Sequence, residues 1–241
     1  MHHVVLERWS RRESALHRRD PRAKIAALVL FLTIVATTRH GFALAGACYL
    51  ALLVAVMLWA RLPLWNALAR AAVVLPFTLV FAFVTILAGD AERAGLLVGK
   101  SYISALAVLA LVSTTPLPQL LRGLEMLGVP RFLLMVSQFL YRYLFVISEE
   151  AQHMRAAAAS RRTSANRHTA SRFRAAAGAL AVLFARSYAR ADAIHRAMVA
   201  RGFQGRFRLL SMLRFGWADA LFLLAAAAAP AAIRVAVEVR G

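Results

Sequence analysis

Cysteine and acidic residues are scarce in this 241-residue chain. The single cysteine, Cys48, excludes an internal disulfide and a thiolate metal site. Only 11 Asp and Glu residues stand against 30 Lys and Arg, which gives a formal net charge of +19. The phosphate-binding pattern GxxxxGK[ST] does not occur, so we expect no ATP hydrolysis by the chain itself. No small-residue cleavage site follows the basic N-terminal segment, which predicts that no signal peptide is removed.

Apolar residues are abundant, in contrast. They make up 61% of the sequence, and the mean hydropathy is +0.63, whereas an ordinary soluble domain is roughly half apolar. A bilayer core about 30 Å thick requires roughly 20 apolar residues per helix. Windows of about this size predict spans at Ile25–Thr38, Phe42–Ala60, Ala71–Ala88, Leu96–Ser113 and Trp217–Val237. The sequence therefore predicts an all-α membrane protein with about five transmembrane helices.

The distribution of positive charge predicts the orientation of these spans. Basic residues crowd the segment before the first span and recur between the second and third, at Arg8, Arg11, Arg12, Arg18, Arg19, Arg22, Lys24, Arg61 and Arg70. The other connections carry little excess positive charge. By the positive-inside rule the N-terminus is cytoplasmic. Four spans then return the chain to the cytoplasm near Thr115, and an arginine-rich region follows as far as Arg214.

The window from Phe132 to Ile147 is apolar enough to be a further span. If it crossed the membrane, the arginines that follow it would lie outside, against the charge rule. We therefore interpret it as a helix at the membrane boundary, covered by protein partners.

Turn signals divide the arginine-rich region into helices. Leucines at helical spacing predict a short helix from Thr115-Pro116 to a stop at Gly128. A long helix is predicted from Arg131 to about Ala159, a polar loop from 162 to 171, and another long helix from Phe173 to Ala200 with Gly202 as its stop. In the predicted domain organisation, residues 1–113 hold four spans, 114–215 form a coupling domain of three cytoplasmic or interfacial helices, and 216–241 form the last span.

Several short sequence segments resemble those of one transporter family. Asp20-Pro21-Arg22-Ala23-Lys24 precedes the first span, TTP, LGVP and YRYLFVISEE follow in order between Thr114 and Glu150, and RAMVARGFQG occupies 196–205. Together they resemble the transmembrane T components of energy-coupling factor (ECF) transporters, and most of all the cobalt-type members called CbiQ. The resemblance covers nearly the whole chain.

The resemblance implies both a role and partners. A T component joins two cytoplasmic ATPase subunits, which bind ATP, to a separate membrane subunit, the S component, which captures the substrate. Ala-Arg-Gly motifs at the ends of two long helices dock onto the ATPases. The second motif is intact as Ala200-Arg201-Gly202, whereas the first falls on Ser160-Arg161-Arg162, where Ser replaces Ala and Arg replaces Gly. Only the central Arg161 carries over directly from the family pattern.

An arginine suits such a contact on physical grounds as well. The guanidinium is planar and permanently charged, so it can bind a carboxylate through two hydrogen bonds. Small neighbours such as Ala200 and Gly202 let a partner approach closely. The alternative is that Arg161 and Arg201 are solvated or face lipid headgroups, as most surface arginines do.

The start of the first long helix offers a second contact surface. We predict that the S component rests on an apolar face formed by Leu133, Val136, Phe139, Leu140 and Tyr143. The alternative is that some of these residues pack against the chain's own spans.

Other activities fit the sequence less well. Glu149-Glu150 followed by Arg155 resembles the signature of intramembrane CAAX-type proteases, but the Arg comes one residue late and His153, His168 and His195 lie outside the predicted spans. His2 and His3 could offer imidazole ligands to a metal, but on the cytoplasmic side, away from capture. The arginines alternate with alanine beside membrane spans and lack a helix that could read nucleic acid. We therefore expect no catalytic, metal or cofactor site in this chain and no nucleic-acid partner.

The sequence thus predicts a non-catalytic scaffold of an ECF-type importer in a bacterial inner membrane. The resemblance favours cobalt or nickel as cargo, and the same scaffold serving a vitamin such as biotin or thiamine is the alternative.

Overall fold

The computed structural model describes residues 19–38, 42–160, 169–205 and 216–239, with the backbone alone at 169–172 and 238. All regular structure in these ranges is helical. The helices are α1 (Pro21–Thr37), α2 (Phe42–Trp59), α3 (Leu64–Ala71), α4 (Leu75–Leu87), α5 (Ala91–Thr114), α6 (Leu117–Met126), α7 (Arg131–Ser160), α8 (Thr169–Ala200) and α9 (Trp217–Glu238). The predicted all-helical membrane fold is confirmed.

Helices long and apolar enough to cross a membrane number five in the described chain, at Phe42–Trp59, Leu64–Leu87, Ala91–Thr114, Arg131–Ser160 and Trp217–Val237. The sequence also predicted five spans, but α7 qualifies here in place of α1. Helix α1, predicted as the first span, has 17 residues and a length of about 26 Å, less than the roughly 30 Å of a bilayer core. Helix α7 qualifies by length and composition, so its interfacial placement stays a prediction.

The span Leu64–Leu87 is built from two helices joined by a tight turn. A 3₁₀ turn at Ala72–Val74 separates α3 from α4. Pro76 follows it in the first turn of α4. Because proline has no N–H for the carbonyl four residues earlier, the regular α-helical pattern cannot continue through this point. The span begins at Leu64 rather than at the predicted Ala71.

Two compact units make up the chain. The first comprises Met1–Gly128 with Ser211–Gly241, and the second comprises Val129–Leu210. Helix α6 falls in the first unit, whereas the sequence grouped it with α7 and α8. The predicted domain boundaries stay a prediction.

Helix α5 occupies the centre of the first unit and contacts α1, α2, α3 and α4. Its inner face presents Ile103 and Leu106, which are buried with Val35, Tyr49 and Met57. The Phe31 and Tyr49 rings meet edge to face at 5.9 Å, a favourable geometry for aromatic pairs. Large apolar residues cover the outer surface of α4, among them Phe77, Val80, Phe81, Phe83 and Leu87. Such a surface suits lipid rather than water.

A buried polar group, which we call the Lys24 cluster, joins three helix ends in the same unit. Its members are Asp20, Lys24, Thr114, Thr115 and Asp219, all of them buried. The Lys24 ammonium donates to the Thr114 carbonyl at 3.2 Å and to the Thr115 hydroxyl at 3.0 Å. Asp20 accepts from the Arg22 N–H at 2.9 Å, and its own N–H donates to Asp219 at 3.1 Å. The cluster therefore ties the starts of α1 and α9 to the end of α5.

In the second unit α7 and α8 contact each other. Arg186 of α8 donates to Glu150 of α7 at 2.5 Å, and this ion pair is partly sheltered because Glu150 is only 27% exposed. Within α8, Arg196 pairs with Asp192, one turn earlier, at 2.9 Å. Helix α8 begins at Thr169, so residues 169–171 are helical and not part of the predicted loop.

Candidate functional site

The intact arginine motif closes the C-terminal end of α8. The Gly202 N–H donates to the Val199 carbonyl at 2.9 Å, and the Phe203 N–H donates to the Met198 carbonyl at 3.0 Å. This pair of bonds is the Schellman motif, in which a residue with positive φ satisfies carbonyls that the last helical turn leaves unpaired. Gly202 has a φ of +76°. Glycine adopts this conformation without the steric cost that a Cβ would bring.

The Schellman turn leaves the motif open to a partner. Ala200, Arg201 and Gly202 are all exposed, and nothing lies within 4 Å of a Cβ placed on Gly202. Helix α8 ends at Ala200, and the N–H of Arg201, the next residue, still bonds to the Ala197 and Met198 carbonyls. A fixed backbone thus carries a guanidinium at the end of a 32-residue helix.

The first arginine motif is only partly within the described chain. Ser160 is the last residue of α7, and its hydroxyl donates to the Ala157 carbonyl at 2.9 Å. Arg161 and Arg162 lie outside the described residues. The structure therefore places Ser160 at the end of one long helix and Ala200 at the end of the other, and the docking role of all six residues stays a prediction.

The apolar residues predicted to contact the S component lie on the N-terminal half of α7. Leu133, Val136 and Leu140 are exposed by 54%, 43% and 66%. Phe139 and Tyr143 are half-buried and stack with their ring centroids 6.2 Å apart. Their spacing at three, four and seven residues places the five on one side of the helix. Their contact with an S component stays a prediction.

The glutamates that suggested a protease are engaged in other contacts. Glu150 is ion-paired with Arg186, and Glu149 lies one turn from His153, with 3.8 Å between Glu149 Oε1 and His153 Nε2. Among the residues that the structure describes, no group of three or more His, Cys, Asp or Glu side chains could hold a metal ion.

Two features of these sites were not predicted from the sequence. Phe203 closes the turn through its backbone N–H, and a backbone bond leaves no mark on the residue type. Asp219 joins the Lys24 cluster from a position 199 residues away from Asp20. The only signal for Asp219 was an acidic residue in the first turn of a helix, where it can accept from N–H groups, as it does from Gly216 at 3.1 Å.

Known proteins resemble this chain over most of its length. The family model CbiQ, described as cobalt transport protein, matches residues 12–210. The cobalt transport protein CbiQ of Rhodobacter capsulatus is 31% identical over 204 residues, which cover 80% of this chain and 83% of the relative. The energy-coupling factor transporter transmembrane protein EcfT of Acidaminococcus fermentans is 29% identical over 252 residues, covering 90% of this chain and 91% of the relative.

Proposed function

This chain belongs to the CbiQ family of cobalt transport proteins, and from that membership we propose that it is the T component of an ECF-type importer. In this role it couples ATP hydrolysis by two cytoplasmic ATPase subunits to uptake through a separate S component. The chain itself is a multi-pass membrane protein and acts as a non-catalytic permease subunit. Its N-terminus and the ends of α7 and α8 face the cytoplasm of a bacterial cell.

The observation that carries the proposal is the exposed Arg201 at the closed end of α8. A guanidinium at the tip of a long helix can enter a groove on an ATPase and grip a carboxylate there. Gly202 has no side chain, so a partner could approach the backbone beside Arg201 closely. Apart from the residues on either side of it, no atom of the described chain lies within 4 Å of the position that a Cβ would occupy there. Similarity to an energy-coupling factor protein over 90% of the chain supports the same partner class.

The second anchor in this proposal is Arg161, which follows the last residue of α7. Two anchors on two helices let the chain follow the relative movement of two ATPase subunits. The Glu150–Arg186 pair supports this arrangement because it links α7 and α8 at 2.5 Å.

Co-purification with the ATPase subunits tests the docking role. We expect that changing Arg161 and Arg201 together to Ala releases the ATPases, because removing one partner of a buried charge pair costs about 2 to 5 kcal/mol. Arg174→Ala is the matched control, since Arg174 is an exposed arginine of α8 outside either motif. If the double variant still assembles and drives uptake at the normal rate, the docking assignment is wrong.

The proposed cargo is cobalt, with nickel as the related ion, because the family model and one relative are described as cobalt transport proteins. The importer reconstituted in vesicles with its S component is expected to take up Co²⁺ in the presence of ATP. Uptake of biotin or thiamine without uptake of Co²⁺ or Ni²⁺ would assign the same scaffold to a vitamin importer. The protease alternative has no support among these relatives.

A further inference from the structure

We propose that Lys24 is a positioning residue for energy coupling, which holds against α1 the short helix α6, from which the chain continues into the second unit. The inference rests on the proposed function in assuming that the second unit transmits motion from the ATPases. The contacts of Lys24 and α6 all lie within the first unit and carry the structural part of the argument.

Lys24 fixes the point at which α6 begins. Helix α5 ends at Thr114, Thr115 is extended, and α6 starts at Leu117. The Lys24 ammonium bonds to the Thr114 carbonyl and to the Thr115 hydroxyl. The carbonyl belongs to the end of α5, where no intrahelical donor remains, and the hydroxyl belongs to the link itself. Lys24 thereby fastens the link between α5 and α6 to the first turn of α1.

The surrounding charges explain why a lysine can occupy this position. Lys24 is only 4% exposed, and an isolated buried ammonium is strongly unfavourable. Asp20 and Asp219 supply negative charge close to it. Each carboxylate is also held in place, Asp20 by the Arg22 N–H and Asp219 by the N–H groups of Asp20 and Gly216.

Helix α6 then lies unusually close to α1. A Cβ added to Gly123 would stand 3.0 Å from Ile25 Cδ1 and 3.3 Å from Pro21 Cβ. Helix α6 is therefore held against the first turns of α1 near its start and at its middle.

The second unit begins directly after α6. The boundary between the units falls between Gly128 and Val129, and Gly128 has a φ of +95°. Pro130 follows, and a residue before proline is disfavoured in the helical conformation. The helical backbone is therefore interrupted between α6 and α7, and any force transmitted along the chain from the second unit reaches α6 first. If Lys24 holds α6 in place, α6 would resist that force.

Amide hydrogen exchange on the full chain in lipid nanodiscs tests the positioning role without any partner. Lys24→Met keeps an unbranched side chain that is one heavy atom shorter, and it removes the charge and the donors. We expect exchange in residues 117–126 to rise at least tenfold, with α2 unchanged. The matched control is Lys100→Met, because Lys100 also donates to a helix carbonyl, that of Ala36 at 2.9 Å. This control should leave α6 protected.

Two further variants disturb the packing of α6 and its preceding link against α1 without altering a charge. Thr115→Val removes only the hydroxyl, and Gly123→Ala pushes α6 away from α1. Each is expected to raise exchange in α6 selectively. Unchanged protection of α6 in Lys24→Met would overturn the inference, and so would an equal loss of protection in α2, which would make Lys24 a general stability residue.

Transport by the reconstituted importer tests the coupling role. We expect Lys24→Met to lower the Co²⁺ taken up per ATP hydrolysed about tenfold, while the ATPases stay bound. A loss of folded protein would lower both rates together and leave their ratio unchanged. An unchanged ratio would overturn the coupling role. If the unaltered chain fails to bind ATPases or to transport, the proposed function is wrong, whereas the exchange result still decides whether Lys24 positions α6.

Discussion

At the residue scale, the end of α8 depends on a backbone conformation that only glycine adopts freely. We predict that Gly202→Ala destabilises the last turn by about 1 kcal/mol, because a Cβ is strained at a φ of +76°. The measurement is amide exchange at Met198–Phe203, which should become faster. Loss of ATPase binding should accompany it, since the Arg201 side chain would no longer be held in one place.

The same substitution at Gly178 is the matched control. Gly178 lies within α8, and nothing stands within 4 Å of a Cβ placed there. Gly178→Ala should stabilise the helix by up to about 1 kcal/mol because alanine has the higher helix propensity. If both variants shift exchange in the same direction, the conformational argument for Gly202 fails.

Some parts of this site could be predicted from the sequence, and others could not. Glycine after a helical pattern predicts a helix end, and α8 does end at Ala200 with Gly202 in the left-handed region. The docking role of Arg201 was inferred from the family resemblance, because its residue type alone does not distinguish it from the other exposed arginines. The bond from Phe203 could not be predicted because it joins two backbone groups.

At the element scale, α2 and α5 pack together where the Phe42 ring lies next to Gly46 of α2 and Gly99 of α5. A Cβ added to Gly99 would stand 2.7 Å from Phe42 Cε1, and one added to Gly46 would stand 3.2 Å from the same atom. We predict that Gly99→Ala lowers stability by about 1 to 3 kcal/mol, the typical cost of overpacking. Thermal unfolding in detergent would show this as a lower midpoint. Gly95→Ala, one turn away with open space around it, should not lower the midpoint and should raise it slightly, because alanine has the higher helix propensity.

Phe42→Leu provides a check on that mechanism. It removes the ring atom with which the new Cβ would clash, so the double variant with Gly99→Ala should recover part of the lost stability. Purely additive losses would show that the ring is not the cause.

The ion pair between α7 and α8 makes a different prediction. Glu150→Gln should weaken the contact between the two helices by about 0.2 to 1 kcal/mol, a modest effect because Arg186 is 59% exposed. Faster amide exchange in both helices, with a smaller difference at high salt, would be the signature. Asp192→Asn removes a pair within α8 alone and should not affect α7. Equal effects of the two variants on α7 would contradict the role of Glu150 as a link.

Most helices were predictable from apolar length and from proline and glycine. The observed α2, α7 and α9 match their predicted ranges within one residue. The start of α8 at Thr169 was missed because serine, threonine and arginine favour a loop on composition alone. Leu180 and Phe184 are one turn apart in α8 and share a face, yet they are 66% and 74% exposed. Helical spacing shows which residues share a face, and the neighbouring helix decides which part of that face is covered.

At the scale of the whole molecule, the orientation in the membrane is open to direct measurement. With Cys48 replaced by Ser, a cysteine at Gln204 should react with an impermeant maleimide only from the cytoplasmic side. A cysteine at Glu92 should react only from the outside, because the charge distribution places the connection before α5 there. Labelling of Gln204 from the outside would show that α7 crosses the membrane and would remove Arg201 from the reach of cytoplasmic ATPases.

Sequence alone could not settle the role of α7. Its composition satisfies the requirements of a span, while the charges that follow it favour the cytoplasm. The composition of α7 and the charges that follow it therefore make opposite predictions for its placement.

The second unit is one uninterrupted stretch of chain, whereas the first is made of two pieces that flank it. Such an arrangement allows the second unit to be transplanted as a cassette, with one junction at Gly128 and the other at Ser211. The arginine motifs and the apolar residues of α7 all lie within Val129–Leu210, so exchanging this unit for the corresponding stretch of a relative would move both proposed contact surfaces together. If the proposed roles are right, the exchanged chain should bind the ATPase subunits and the S component of that relative.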